Sequence, residues 1–323
     1  VWGGTFHSVA NRLLRHYGPN LGLAANFTVL DPGDAADLIG VVRAELGLGT
    51  GKRRFPKKQT IAALYSRMVN SQRGLSEIID EAYPWLGPHL DDLRAVFAGY
   101  TDAKQVQQVL DYDDLLLYWR ALVATPGLAE QVQTLFDHIL VDEYQDTNAL
   151  QSNILRGLAG PDSQVTVVGD DAQSIYAFRA ATVQNLWDFP TRFPGATTIT
   201  LEQNYRSTRP ILAAANAMLA ESPVHLDKQL WTERPGDRRP ELITAHDEAA
   251  QSNEVCDAVL ALREEGMDLR EQAVLYRANH HGDHLELELT RRDIPYVKYG
   301  GLKYLEAAHV KDLLALLRIL DNP

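Results

Sequence analysis

The chain has one cysteine, Cys256, in 323 residues, which excludes a disulfide framework and suits a reducing compartment. No uninterrupted apolar stretch approaches the roughly 18 residues that a membrane span needs, so none is expected. The opening residues Val1, Trp2, Gly3, Gly4, Thr5, Phe6 and His7 lack the charged start and apolar run of a signal peptide. They also lack an initiator methionine, and Pro323 follows an unbroken amphipathic run. Both ends therefore read as cuts in a longer polypeptide, with a cytoplasmic location expected. Basic charge is in short supply: 31 Lys and Arg against 43 Asp and Glu leave a net charge of −12, which argues against a protein that coats nucleic acid by bulk electrostatics. A local groove stays open. The one dense basic cluster, Lys52, Arg53, Arg54, Lys57 and Lys58 around Phe55 and Pro56, either meets a phosphate backbone or forms a solvated loop.

What is present is enough apolar material, 45% of the residues, for a sizeable core and for two or more domains. Up to about Leu110 the pattern is helical. Val9, Leu13 and Leu14 recur at helical spacing, as do Leu38, Ile39, Val42 and Leu46, with breaks near Gly18, Pro32, Gly47 and Pro84. From there on a helix over 115–123 is followed by β-rich runs at 136–141, 165–168, 197–201, 273–276 and 295–299, separated by helical stretches. Strands alternating with helices predict an α/β architecture with parallel sheets, whose ligands sit at the carboxyl ends of the strands. The Pro- and Arg-rich stretch 233–240 reads as a surface loop.

The polar signatures fall at those strand ends. The run Ile139, Leu140, Val141 stops at Asp142 and Glu143, two adjacent carboxylates opening onto a crevice. There they can hold a cation and activate a water: for nucleotide hydrolysis Asp142 helps to hold Mg²⁺, and Glu143 orients and deprotonates the attacking water. The alternative is structural, with Asp146 and Thr147 capping the helix that follows. The second run leads into Gly169, Asp170, Asp171, Ala172, Gln173, Ser174, Ile175, Tyr176, Ala177, Phe178 and Arg179. Here Gln173 can sense a γ-phosphate while Tyr176 and Phe178 offer faces for bases to stack on; equally, the aromatics can be core. The third run delivers Tyr205, placed to stack on an adenine, and Arg206, which serves as a finger toward a γ-phosphate or as a surface ion-pair partner.

Thr5-Phe6-His7-Ser8, Val141-Asp142-Glu143-Tyr144-Gln145-Asp146, Val168-Gly169-Asp170-Asp171-Ala172-Gln173-Ser174-Ile175-Tyr176 and Leu201-Glu202-Gln203-Asn204-Tyr205-Arg206-Ser207-Thr208 resemble, in order, motifs of the UvrD/Rep/PcrA superfamily 1 helicases. Tyr112-Asp113-Asp114-Leu115, Val274-Leu275-Tyr276-Arg277 and the stretch from Ile294 to Gly301 extend the likeness over essentially the whole chain. The resemblance implies RecA-like P-loop NTPase motor domains plus a mostly helical accessory domain. Residues 1–110 would be the accessory domain inserted in the first motor, 111–200 the remainder of that motor, and 201–323 the first portion of the second. It implies ATP and Mg²⁺ as cofactors, single-stranded DNA and single-strand/duplex junctions as partners, 3′ to 5′ translocation, and a role in repair or replication. By the same likeness Thr5, Phe6, His7, Tyr176, Phe178, Arg179 and Lys303 lie along the DNA, and Gln173, Tyr205 and Arg206 face ATP.

The chain departs from the family's pattern in definite places. It contains no Gly-x-x-x-x-Gly-Lys-Ser/Thr; the glycine-rich stretch 47–53 has Leu46 where the first glycine belongs and Arg53 in place of the Mg²⁺-binding hydroxyl. By itself the chain is expected to hold half of an ATP site and to turn over no ATP. Phe178 stands where the family has tryptophan and Ala180 where it has glycine, while Ala307 and His309 replace an arginine and an acid. His280, His281 and His284 occupy an ordinary polar loop of the family rather than a metal site. Two rival functions remain: a DNA-binding scaffold derived from such a motor, disfavoured by Asp142, Glu143, Gln173 and Arg206 all being present, and a metal nuclease, disfavoured by the lack of an acid-x-Lys arrangement.

Overall fold

The computed structural model describes residues 1–49 and 55–299, with Arg179 by its backbone alone. Lys52, Arg53, Arg54, Gly300, Gly301, Leu302, Lys303, Ala307 and His309 lie outside the described residues, as does the end of the glycine-rich stretch. Two compact units are present, Val1–Asp237 and Arg238–Pro323, dividing within the predicted loop at 233–240.

The first unit opens with the helices α1 (Phe6–Tyr17), α2 (Pro32–Glu45), α3 (Lys58–Ser71), α4 (Leu75–Ala82) and α5 (Leu90–Gln107). Their starts are set by side chains. Thr5 caps α1 by accepting from the Ser8 amide at 3.3 Å, and Asp31 caps α2, where Pro32 occupies a first-turn position that needs no N–H. A two-residue strand, β1 (Thr28–Val29), pairs in parallel with β2 (Val109–Leu110). Beyond it run α6 (Tyr112–Leu122), α7 (Leu128–Gln133), β3 (His138–Val141), α8 (Ala149–Leu158) and β4 (Gln164–Val167). Two short turns of helix, α9 (Gln184–Trp187) and α10 (Phe189–Arg192), then precede α11 (Arg209–Ala220).

One apolar core runs from Ala10 and Leu13 in α1, through Ile61 and Leu64 in α3, Leu93 and Val96 in α5, and Leu116 and Trp119 in α6, to Ile154 and Phe189. Removing each Leu, Ile, Val or Phe side chain of this core from water contributes roughly 1.5–3 kcal/mol. The helical region and the acid-bearing region thus share a single interior. A polar seam reinforces the join. Asn70 of α3 donates to Asp113 of α6 at 2.6 Å and accepts from Asn148, the N-cap of α8, at 2.7 Å. Asn148 rather than Asp146 or Thr147 caps that helix, because its carbonyl oxygen receives the Gln151 amide at 2.8 Å.

β3 and β4 pair in parallel, with Ile139 opposite Val165 and Val141 opposite Val167. Both therefore end on the same side, as the alternating pattern predicts. The predicted strands at 197–201, 273–276 and 295–299 do not form: those segments carry no ladder. A strand is stabilised by hydrogen bonds to a neighbour, and among the described residues these runs form no bridge; the isolated bridge between Gln203 and Trp231 lies just beyond the first of them. Ile199 and Leu201 are accordingly more than three-quarters exposed.

Where α5 meets α6, Lys104 is sealed from solvent and its ammonium lies 2.7 Å from both Asp111 and Asp114. Burial and the neighbouring Asp111 push the Asp114 carboxyl up to about 6. A carboxyl whose value is raised on folding binds its proton more tightly in the native state, so stability falls as pH climbs from the ordinary value near 3.8 through about 6, and is level above. Urea unfolding of the chain between pH 4 and 7 should show this decline, and Asp114→Asn should flatten it. An unchanged slope in the variant would assign the effect to other groups.

In the second unit, α12 (Glu248–Glu264), capped by Asp247, packs against α13 (Asp283–Arg291) around Cys256, Leu285, Leu289 and Ile294. No helix among the described residues is long and apolar enough to cross a membrane.

Candidate functional site

The chemistry starts where β3 runs out. Asp142 and Glu143 are both exposed, and Glu143 has φ 50° and ψ 45°, the left-handed region that a non-glycine residue enters at a cost. The turn is held there from both sides. Tyr144 donates its amide to the Val168 carbonyl at 2.8 Å, and its fully buried ring rests edge-on against Phe189 while its hydroxyl shares a 3.0 Å hydrogen bond with Ser152. With Tyr144 pinned inside, the residue before it is forced outward, so that the Glu143 carboxylate projects from a rigid base.

Gln145, only 1% exposed, links this turn to the next strand end. Its Nε2 donates to Glu143 Oε2 at 2.6 Å, and its Oε1 accepts from the Asp170 amide at 3.0 Å. A carboxylate accepting from a buried amide is fixed in direction without being neutralised. Gly169 is what lets the two turns approach. A Cβ there would lie 2.9 Å from Gln145 Oε1 and 3.3 Å from the Gln145 backbone nitrogen, and backbone cannot yield. Asp146, which directly follows Gln145, has its carboxyl raised by burial and by the Glu143 charge.

On the second strand end, Gln173 donates from Nε2 to Asp170 Oδ2 at 2.7 Å. Lys228 forms ion pairs with both Asp170 and Asp171. Partial burial works against these carboxylates, but the hydrogen bonds from Gln173 and Lys228 to Asp170, and from Lys228 and the Leu226 amide to Asp171, hold both below the usual range. Asp142, Glu143 and Gln173 are thus joined by one chain of contacts running through Gln145 and Asp170. Lys228 does not stand out in the sequence, since a lone lysine carries no pattern of its own, and Gln145 falls inside the string 141–146 without a sign of the contacts it makes.

Phe178 is 71% exposed, with its ring centroid 5.8 Å from that of half-buried Tyr176. Their backbone turns sharply at Ala180, φ 62°. Tyr205 is 77% exposed, its hydroxyl donating to Gln203 at 2.8 Å, and Arg206 is exposed on a turn that the Asn204 side chain holds by accepting from the amides of Arg206 and Ser207. At the start of α1, Thr5 is exposed, while Phe6 packs on Trp119 at 5.8 Å between ring centroids and His7 sits edge-on to Tyr112 at 5.7 Å. Burial lowers the His7 pKa, which disfavours the charged form of its ring. Of the basic cluster, Lys58 is ion-paired with Asp37.

Among the described residues no set of three or more His, Cys, Asp or Glu side chains is arranged to hold a metal. His281 accepts from the Ala278 amide and His284 lies 3.7 Å from Glu248, both ordinary local contacts. The acid pair fits a different kind of ion. Asp142 is exposed and has one oxygen engaged, by the Glu143 amide at 3.0 Å, leaving the other for a hard cation. Magnesium, which keeps several waters and takes phosphate oxygens as ligands, needs only one or two carboxylates from the protein.

Residues 1–194 match the UvrD/REP helicase N-terminal domain and residues 199–323 the UvrD-like helicase C-terminal domain. The chain is 38% identical to the ATP-dependent DNA helicase UvrD1 of Mycobacterium tuberculosis (strain CDC 1551 / Oshkosh) over 346 residues, covering 100% of this chain and 43% of that protein. It is 36% identical to DNA helicase II of Escherichia coli (strain K12) and 35% identical to the ATP-dependent DNA helicase PcrA of Staphylococcus epidermidis (strain ATCC 12228 / FDA PCI 1200), in each case over 100% of this chain and 44% of the relative. The chain therefore spans less than half the length of these relatives.

Proposed function

Because the chain belongs to the UvrD/Rep helicase family, we propose that the complete protein is an ATP-dependent DNA helicase that moves 3′ to 5′ on single-stranded DNA and opens duplex at junctions, in DNA repair or replication. The observation that carries this reading is the continuous hydrogen-bonded path from Glu143 through Gln145 and Asp170 to Gln173. It joins a candidate base to a candidate phosphate sensor, five residues from an exposed aromatic.

In this mechanism Glu143, aimed by Gln145, orients a water and takes its proton as the γ-phosphoryl group leaves. Asp142 would hold the magnesium ion that neutralises charge on the phosphates. Gln173 registers the γ-phosphate through the N–H that its bond to Asp170 leaves available. Tyr205 stacks on the adenine, and Arg206 stabilises the charge that builds up during transfer. Residues 1–110 act as an accessory domain, 111–200 complete the first motor and 201–323 begin the second. Thr5, Phe6, His7, Tyr176, Phe178, Arg179 and Lys303 make up this chain's share of the DNA track.

A stacking aromatic contributes about 1–3 kcal/mol per base. Phe178→Ala in the complete protein should therefore weaken binding of a single-stranded oligonucleotide by roughly tenfold, while turnover without DNA stays near the parent's. Fluorescence anisotropy with a labelled oligonucleotide measures the first and a coupled phosphate assay the second. Unchanged oligonucleotide affinity would remove Phe178 from the track.

A further inference from the structure

The mechanism above does not use Lys228, a lysine of the first unit held by two carboxylates. Its side chain is 10% exposed, and it bridges two consecutive carboxylates, Asp170 and Asp171, from more than fifty positions along the chain. An isolated surface ion pair contributes little, but this cation is largely desolvated and removing it would leave two adjacent acids facing each other. The neighbouring backbone adds to the grip, since Leu226 donates its amide to Asp171 Oδ2 at 2.6 Å.

The other side of the same short segment is fastened to the residues that lead into Tyr205. Gln229 donates its amide to Glu202 Oε1 at 2.8 Å, and Trp231 donates to the Glu202 carbonyl at 3.0 Å. Asn204 donates its amide to the Trp231 carbonyl at 2.7 Å, and Asn204 is the residue whose side chain shapes the turn at Arg206. Leu230, between them, exchanges two hydrogen bonds with Asn216 of α11, at 2.8 and 3.1 Å. Residues 226–231 therefore touch the sensor turn with one end and the Tyr205–Arg206 segment with the other.

We propose that Lys228 is a positioning residue that straps the sensor turn carrying Gln173 to the segment carrying Tyr205 and Arg206, so that the two sides of the nucleotide site move together. Lys228 acts on Gln173 through Asp170: it fixes one carboxyl oxygen, and the other accepts from the Gln173 amide. With Asp170 anchored, the amide nitrogen of Gln173 is held as the phosphate-facing donor. With Asp170 loose, either end of the amide can turn inward, and displacement of Tyr205 and Arg206 is no longer transmitted. The proposal rests on the reading of Gln173 as the γ-phosphate sensor.

The test uses the complete protein and steady-state ATP hydrolysis with and without single-stranded DNA. Lys228→Met is expected to lower the DNA-stimulated kcat about tenfold while changing KM for ATP less than about twofold, because it disturbs the transition state more than ground-state binding. Lys228→Arg should restore most of the loss, and Lys228→Met combined with Gln173→Ala should be no slower than Gln173→Ala alone, as for groups acting as a unit. A Lys228→Met protein with parent-like stimulated kcat overturns the proposal. So does a multiplicative loss in the double variant, or a loss that tracks a fall in Tm and is not restored by arginine. Gln173→Ala turning over like the parent overturns the sensor reading and the strap with it, whereas a slow Gln173→Ala beside a normal Lys228→Met overturns the strap alone.

Discussion

Glu143→Gln in the complete protein should lower DNA-stimulated ATP turnover by about 10²–10⁴-fold, the contribution of a positioned general base, while leaving nucleotide and DNA binding close to the parent's. The substitution is well suited to the site. Glutamine keeps the length of the side chain, and its carbonyl oxygen can accept the bond that Gln145 Nε2 now gives to Glu143 Oε2. The left-handed backbone at this residue is imposed by the buried Tyr144 on one side and the end of β3 on the other, so it does not depend on the charge. What is lost is the ability to take a proton. Single-turnover hydrolysis of pre-bound ATP isolates that step from nucleotide exchange. A variant that hydrolyses at the parent rate would assign Glu143 a structural part and move the base elsewhere. A large fall in ATP affinity with turnover intact would point instead to ground-state binding.

Much of this site was legible in the sequence because strand ends announce themselves. Apolar runs stopping at paired acids located β3 and β4 to within two residues at either end, and the parallel pairing then put both polar turns on one side. Three further runs had the same composition but no ladder forms there. Composition reports a preference for a pleated, half-buried surface, and whether a neighbour is present to pair with is a tertiary matter. The reverse error occurred at β1 and β2: two-residue strands are too short to show alternation, so their pairing across some eighty positions left no trace in the sequence. In the site itself, the residues proposed to act on substrate fell in recognisable strings, and of those that hold them Gln145 and Asp170 fell in the same strings without a sign of that part, while Lys228 fell in none. Gln145 lies between two acids and reads as a spacer until its amide is seen to bridge Glu143 and the Asp170 backbone. Lys228 lies in a segment without pattern, and only the folded chain brings it to Asp170 and Asp171.

The second large effect concerns the scaffold that carries these turns. Lys104→Met should destabilise the chain by about 3–5 kcal/mol, seen as a lower urea midpoint in tryptophan fluorescence, because breaking a buried ion pair strands its partners. Lys104 is 3% exposed; burial opposes its charge, and the facing Asp111 and Asp114 more than offset that, holding its pKa well above the ordinary lysine value. Its ammonium also lies 4.3 Å from the centre of the Tyr100 ring and 5.0 Å from that of Tyr65, and the Tyr100 hydroxyl donates to Asp111 at 2.7 Å. Methionine fills the volume and makes none of these contacts. The acids it leaves behind cannot simply rotate out to water, because Asp111 and Asp114 form the capping box of α6, each accepting the other's backbone amide, at 2.8 and 2.9 Å. The decisive comparison is therefore Lys104→Met combined with Asp111→Asn and Asp114→Asn. Asparagine keeps an accepting oxygen at both cap positions and carries no charge, so the triple variant should recover most of the stability lost by the single one. If it is as unstable as Lys104→Met, the loss came from packing around the lysine stem and not from stranded charge. If Lys104→Met is as stable as the parent, the carboxylates escape desolvation, and the junction of α5 with α6 is looser than the hydrogen bonds imply.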